Sequence, residues 1–597
     1  MPKVSIQARA NKPEMFQDPL TQTYDAIVVG SGATGGWAAK RLSEAGLSVA
    51  LLEAGRNISP KEFTEHMPAF QLKYRNMSLD WLKSRPIQRQ CYACMEYNYD
   101  WFVDDLQNPY STPADKPFTW QRLRIVGGRT LVWGRQSYRL SDLDFKAASH
   151  DGYGMDWPFS YKEIAPYYDL VEDYVGISGA AEQNDALPDG HFLPPMKMTC
   201  GETFFRERIA KQFGRTVTIG RTAIVTQNHN GRLACHYCGP CERGCSTFSY
   251  FSSPFTTIKD ALKTGKCTLI TNAVVAQIDM DPSTNRATGV MFVDGVTHQT
   301  KNIRGKVVIL CAQSLESTRI LLNSRTRDHA EGLGNSSGLL GRGLMDHSTG
   351  AGAAGELPGF NEKPAPYSGP HRANGIYVIR YRNLAKGPQQ KTFIRGYGFQ
   401  GNAIANFNFN AQGFGPDFKK AVTEGIYEIR LGAFGESLAR NENYVAIDPN
   451  LKDAWGIPAL HISMSHGDNE KAMHEDAAET AAEMLEAAGV KNIRVSSKLA
   501  EPGMAIHELG TARMGTDPKR SVTTSYCQLH DVKNVLAMDG ACFVSSGCQN
   551  PTLTMMAITV RACDHLLERV KRSELSSALG DWCPLCAVKP CPAKYDA

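Results

Sequence analysis

Two groups of residues carry chemistry by their types and spacing. The first is Gly30, Gly32 and Gly35, a G-x-G-x-x-G triplet, with Glu53 downstream. Glycines so spaced let a chain turn tightly, bring its backbone against a diphosphate, and pack a helix closely on a strand. The anion then rests on free amides at the positive end of the helix dipole. A carboxylate at Glu53 can accept both ribose hydroxyls of an adenosine and would repel a 2′-phosphate. The second group is CHYCGPCERGC, which sets Cys235, Cys238, Cys241 and Cys245 in a C-x2-C-x2-C-x3-C run. This is the ligand spacing of a bacterial iron–sulfur run, with Ser246 where a Pro usually follows. Thiolates at such intervals suit soft metals, and Gly239 and Gly244 would let the loop wrap a cluster. An iron–sulfur cluster is the first reading. A structural zinc is the second, and disulfides or free thiols the third.

These residues need elements to hold them. YDAIVV at 24–29 reads as a buried strand, a helical pattern runs through Ala38, Ala39, Leu42 and Ala45 to Gly46, and SVALLEAG resumes a buried strand. Strand, helix and strand in register are the context that makes the glycine triplet a dinucleotide site. Residues 60–120, rich in Pro, Asn, Tyr and Asp, read as long surface excursions. A capped helix is expected within 155–175, strands at 268–280 and 306–311, and a helix in ESTRILLNS. Between 356 and 460, alternation in NGIYVIRYR and NAIANFNFN predicts an antiparallel sheet with one solvated or ligand-facing side. Tyr397, Phe399, Gln400, Asn406 and Asn408 lie on those strands and are candidates to face a substrate. Residues 468–488 read as a solvated outer helix, and an apolar helix follows NPTLTMM near the end.

A chain of 597 residues is long enough for two joined lobes. Its net charge of +4 calls for no nucleic acid, and no basic run is interleaved with aromatics. No apolar stretch reaches the roughly 18 residues of a membrane span. The first residues show neither a secretory apolar core nor a twin-arginine pair, so a cytoplasmic location, or export with a partner, is expected. Of the 16 cysteines, Cys91 with Cys94, and Cys583, Cys586 and Cys591 in a Pro-rich tail, form further clusters that could be disulfides or added metal sites.

Four segments, VVGSGATGGWAAKRLSEAGLSVALLEAGR, RIVGGRTLVWG, HELGTARMGTD and DGACFVSSGCQNPTLTMMAIT, together resemble the glucose-methanol-choline (GMC) oxidoreductase family over most of the chain and in the family's order. The resemblance implies an α/β protein: a Rossmann-like FAD-binding lobe built from both chain ends, and a substrate lobe with an antiparallel sheet. The implied division is an N-terminal extension at 1–23, the FAD lobe at 24–355 with the Cys-rich loop 235–245, and the substrate lobe at 356–500. Residues 501–570 return to the FAD lobe, and a Cys- and Pro-rich tail occupies 571–597. By position, His507 matches the family's catalytic histidine and Asn550 its partner, with Pro551 and Thr552 beside the flavin. Asp539, Gly540 and Ala541 match the segment along the flavin's phosphates, and Val274 the residue whose backbone reads the adenine. Gly127, Gly128, Arg129 and Thr130 match the loop under the isoalloxazine. Where some relatives carry a flavin-bonded histidine, Val132 stands before Trp133, so FAD is expected to be bound non-covalently.

The implied chemistry is consistent with the residue types. Oxidising an alcohol needs a base for the hydroxyl proton while hydride leaves for the flavin. An imidazole titrates near working pH and suits that task. The Asn550 amide can hold the same oxygen, and Asp346 and His347 in GLMDHS are expected to be structural. CHYCGPC with GRQSYRLSDLDF most resembles the catalytic subunits of multi-subunit sugar and gluconate dehydrogenases, glucoside 3-dehydrogenases among them. That implies an oxidoreductase acting on the CH–OH group of a sugar or glycoside, at a secondary hydroxyl. A three- or four-iron cluster would relay electrons to an external acceptor such as cytochrome c, and a small partner would export the chain to the periplasm. The rival is an oxidase that makes hydrogen peroxide, its cysteines structural. A flavin-binding sensor would leave His507 and Asn550 without a role.

Overall fold

Strand β1 (Thr23–Val29) is buried from Ala26 onward because it has a neighbour on each edge. It pairs in parallel with β2 (Val49–Leu52) on one side and with β7 (Thr300–Leu310) on the other. β2 continues in parallel to β4 (Cys267–Ile270), and the end of β7 to β15 (Val535–Ala537). The first half of β7 instead pairs antiparallel with β6 (Arg286–Asp294), and β6 with β5 (Ala273–Asp281). The computed structural model describes residues 19–72, 83–360, 372–406, 413–423 and 426–572, and within them these strands form one seven-stranded sheet. Parallel strands covered on both faces carry continuous apolar runs, which is why VVAL-type segments, not alternating ones, build it.

A second sheet is wholly antiparallel. It is formed by β3 (Val217–Ile219), β8 (Gly352–Glu356), β9 (Ile376–Val378), β10 (Tyr397–Asn406), β11 (Ile426–Gly435) and β14 (Lys491–Ser496), in the order β14-β8-β11-β10-β9-β3. A hairpin of β12 (Tyr444–Lys452) and β13 (Pro458–Ser463) stands apart. One face of the second sheet packs on the helix Asp468–Ala487. Ala477, Ala481, Met484 and Leu485 of that helix join a single core cluster with Ala353, Ile429 and Leu431. The expected solvated outer helix is therefore half buried: its short alanines let it sit close to the strands while Lys471, Glu475, Glu479, Glu483 and Glu486 face out, and Glu470 is buried against Arg440.

The chain's two ends meet on the first sheet. Helix Ala33–Glu44 packs against helix Thr552–Lys571, with Arg41 and Asp564 paired at 2.5 Å. Helix Tyr161–Val175 lies on the same C-terminal helix through Tyr168 Oη and Thr554 Oγ1, 2.7 Å apart. Residues 83–120, the later part of the 60–120 stretch, are not wholly the surface excursion their composition suggests; residues 73–82 lie outside the described residues. Trp101, Phe102, Val103 and Trp120 are buried, and Asp105 accepts from the Ile87 and Gln88 amides and the Gln88 side chain. The polar residues there satisfy the loop's own backbone, which frees it to enter the interior. No described helix is long and apolar enough to cross a membrane. Cys583, Cys586, Cys591 and Asn408 lie outside the described residues.

Candidate active site

A cavity of about 550 Å³ lies at the carboxyl ends of β1 and β2, where ligands of doubly wound sheets bind. Its volume is within the roughly 300–1,000 Å³ range of cofactor pockets. Gly30 turns the chain there at φ +98°, and a Cβ on it would stand 2.4 Å from the Cys311 carbonyl oxygen. A Cβ on Gly35 would stand 1.8 Å from the Gly30 carbonyl oxygen, so helix Ala33–Glu44 sits as close to the turn as a glycine allows. Gly32 differs: a Cβ there would meet nothing within 4 Å, and the residue faces the cavity. The helix has no side-chain cap and no acid in its first turn, which leaves its amides to an anion.

Glu53 ends β2 in the same cavity. Its oxygens accept from the Ser31 amide and hydroxyl and from the Gly55 amide, and burial raises its pKa. Ser31 also accepts from the Gly127 amide at 2.9 Å, and its carbonyl accepts from Ser253 Oγ. One serine, unmarked in the sequence reading, thus ties the glycine turn, the acidic residue and the second glycine loop together. Gly128, Arg129, Thr130, Val274, Asp539, Gly540, Asn550, Pro551 and Thr552 all line the cavity. Gly35, Gly127 and Ala541 stand just behind it; the Ala541 amide donates to Asp539 at 3.0 Å. Burial raises Asp539 to about 6. A diphosphate, a ribose and a flat ring would meet free amides, a carboxylate and a helix N-terminus in turn, so the residues fit FAD. Val132 lines the cavity with no atom able to form a covalent bond to it.

His507 reaches the cavity from a strained loop. Ile506, a β-branched residue, has φ +64°, a conformation that costs about 1–3 kcal/mol. Two clamps hold it. Asp346 accepts the amides of Gly503 (2.7 Å), Ala505 (3.3 Å) and His507 (3.0 Å). Arg129 donates to the Ile506 carbonyl at 3.1 Å and grips Glu508 with both nitrogens, at 2.6 and 2.7 Å. His507 Nδ1 lies 3.1 Å from His347 Nδ1. Burial, with His347 and Arg129 nearby, pushes the His507 pKa well down, and burial holds His347 at about 4. Asp346 is pushed up to about 7 by burial and by Glu508. Asp346 and His347 are therefore structural in a specific sense: they carry the imidazole.

Asn550 lines the same cavity, and its Oδ1 accepts from Gln400 Nε2 at 2.7 Å. Of the strand residues expected near a substrate, Gln400 lines the cavity and Tyr397 and Phe399 are fully buried in the sheet, while the Asn406 side chain and Asn408 lie outside what is described. Trp133, Gln136, Asn374 and Phe434 complete this end. A flat aromatic edge with several planar amides suits a polyhydroxylated ligand.

Cys235, Cys238, Cys241 and Cys245 are half-buried free thiols, and Cys235, Cys241 and Cys245 pack on Ile219, Ile224 and Tyr250. Tyr250 Oη donates to the Leu131 carbonyl in the loop that lines the site. Burial and the neighbouring thiols push Cys238 up to about 12. Among the described residues no group of three or more His, Cys, Asp or Glu side chains is gathered as a metal site, so the four sulfurs do not form a ligand set. Cys91 and Cys94 are buried free thiols, neither bridged nor gathered around a metal, and Cys91 lines the cavity.

The models of the GMC oxidoreductase family match residues 24–349 and 439–559. A 2-methyl-1,2-propanediol dehydrogenase of Mycolicibacterium austroafricanum is 28% identical, covering 91% of this chain and 95% of that protein. A fructose dehydrogenase large subunit of Gluconobacter japonicus is 26% identical over 92% of this chain and 99% of its own. The crystal structure of pyridoxine 4-oxidase from Mesorbium loti superposes with a TM-score of 0.58 at 18% identity, covering 91% of this chain and 98% of that one, a likeness of fold.

Proposed function

The chain belongs to the GMC oxidoreductase family, whose members bind FAD and act on CH–OH groups, and from that premise we propose that it is a dehydrogenase oxidising a secondary hydroxyl of a sugar or glycoside. What supports this reading is that His507 and Asn550 line the same cavity as Gly30, Gly32 and Glu53, although they come from opposite ends of the sequence. When bound, FAD supplies the acceptor for the hydride. The protein's residues do the rest. Gly32 and the first turn of helix Ala33–Glu44 would hold the diphosphate, Glu53 the ribose, and the backbone at Val274 the adenine. His507, kept neutral by its surroundings, would take the hydroxyl proton, while Asn550 holds the carbinol oxygen. Gln136, Asn374 and Trp133 offer the amides and ring edge that select a sugar.

Electrons would pass to an acceptor other than oxygen. The four cysteines are not gathered as ligands, so no electron step is derived through an iron–sulfur cluster, and iron is to be measured instead. The Gluconobacter japonicus relative is named a large subunit, and we extend to this chain the expectation of a small partner, export with it to the periplasm, and a cytochrome c acceptor. The deciding experiment is a sugar and glycoside screen with an artificial dye acceptor, the product position read by NMR, run beside an oxygen electrode and an iron assay. Dye reduction with negligible oxygen uptake supports the dehydrogenase, and about three or four irons per chain would overturn the finding that the cysteines are not gathered as ligands. Peroxide formation without iron would establish the oxidase instead. No flavin bleaching by any sugar would refute the substrate class.

A further inference from the structure

We infer that His347 and Gln400 set the polarity of the catalytic pair, His347 leaving His507 Nε2 as a bare proton acceptor and Gln400 leaving the Asn550 NH2 as a donor to the carbinol oxygen. This rests on the reading of His507 as the base and Asn550 as its partner. Two ring nitrogens 3.1 Å apart can share only one hydrogen when both rings are neutral, so one of His507 Nδ1 and His347 Nδ1 donates and the other accepts. The role of His507 decides which: a base needs a bare Nε2, so its hydrogen sits on Nδ1 and His347 Nδ1 is the acceptor 3.1 Å away.

Asn550 follows the same logic. Asn550 has one carbonyl and one NH2, and Gln400 Nε2 occupies the carbonyl. A hydroxyl entering the cavity donates to His507 and accepts from Asn550, the only arrangement that aims its proton at the base. As the O–H bond breaks, the proton moves to His507 Nε2, and the imidazolium keeps its Nδ1–H on the lone pair of His347. The negative charge growing on the carbinol oxygen is met by the Asn550 N–H. The two positioning residues come from neighbouring parts of the second sheet and its approach: Gln400 from β10, and His347 from the segment just before β8, where Ser348 and Gly435 exchange backbone hydrogen bonds at 2.9 and 3.0 Å. The other charged groups around the pair are Asp346, Glu508 and Arg129.

The test uses holoenzyme. In ¹⁵N-histidine spectra, assigned with a His507→Gln variant, His507 should show its hydrogen on Nδ1 at neutral pH; a hydrogen on Nε2 overturns the inference without substrate being needed. With the sugar that gives the fastest dye reduction, His347→Leu should lower kcat/KM by roughly 10²-fold or more while FAD content holds. His347→Asn, whose amide oxygen can replace the Nδ1 acceptor, should recover about tenfold of that. Gln400→Glu, unable to donate when ionised, should lower kcat by roughly 10–10² at neutral pH, and its rate relative to the parent enzyme should rise as pH falls and the carboxyl regains a hydrogen. Gln400→Leu should show the loss without that recovery. Rates and pH profiles within about twofold of the parent for all four variants, while His507→Gln is inactive, would overturn this inference and leave the base assignment standing. An active His507→Gln would overturn the assignment itself.

Discussion

His507 is presented by a loop that local energetics disfavour, and Asp346 is the group most responsible for holding it. Replacing the imidazole itself, as His507→Ala, should cost about 10²–10⁴ in kcat/KM with flavin still bound, measured by dye reduction and flavin absorbance. Asp346 has a folded pKa of about 7, raised from 3.8. A raised carboxyl contributes stability that is complete below about pH 4 and is lost as pH rises through about 7. His347, with its pKa lowered to about 4, has the opposite sign: its contribution is present above about pH 6.5 and lost as pH falls. The two overlap, so the raw melting curve is a poor test. The Tm difference between the parent and Asp346→Asn isolates the first, and it should shrink as pH rises from 4 to 8 in differential scanning calorimetry. At this scale the sequence exposed the reacting groups through their similarity to known segments. It hid their supports. Ser31 and Glu508 are ordinary polar residues whose roles exist only once distant segments meet, and nothing in their spacing marks them; strand alternation marked Gln400 only as one of five candidates to face a substrate.

The glycine turn shows how one element divides its labour. Gly30 and Gly35 leave no room for a methyl group, whereas Gly32 leaves ample room on the cavity side. Gly35→Ala should therefore destabilise the apoprotein by about 1–3 kcal/mol or more, visible as a lower urea midpoint. Gly32→Ala should leave the apoprotein's Tm within about 2 °C and cut FAD affinity at least tenfold, since its methyl occupies the space of the diphosphate. An equal loss of stability in both would show that the triplet serves packing alone. The strand–helix–strand unit was legible because buried parallel strands and a helix stop leave strong local patterns. Residues 83–120 were misread because composition reports polarity and not whether the polar groups face water. The Gln88 side chain, fully buried and bonded to Asp105, is the plainest instance.

At the scale of the whole molecule, the first sheet and the second sheet both contribute residues to one cavity. With Val132 at the position where a bond to the flavin could form, acid precipitation should release all flavin into the supernatant; colour retained in the pellet would contradict this. The fold class followed from the resemblance of four segments to a known family, and the apolar βαβ start and alternating middle agreed with it. What the order could not convey is that β7, besides pairing with β1, serves two further neighbours, β6 along its first half and β15 at its end. The pairing of Arg41 with Asp564, 523 residues apart, carries a consequence for biosynthesis. At about 5–20 residues per second, a ribosome needs roughly half a minute to two minutes to deliver the second partner after the first. During that interval the nascent amino-terminal segment exposes an apolar flank with nothing to cover it, so the emerging polypeptide must be sheltered, by a chaperone or a waiting subunit, until its last helix arrives.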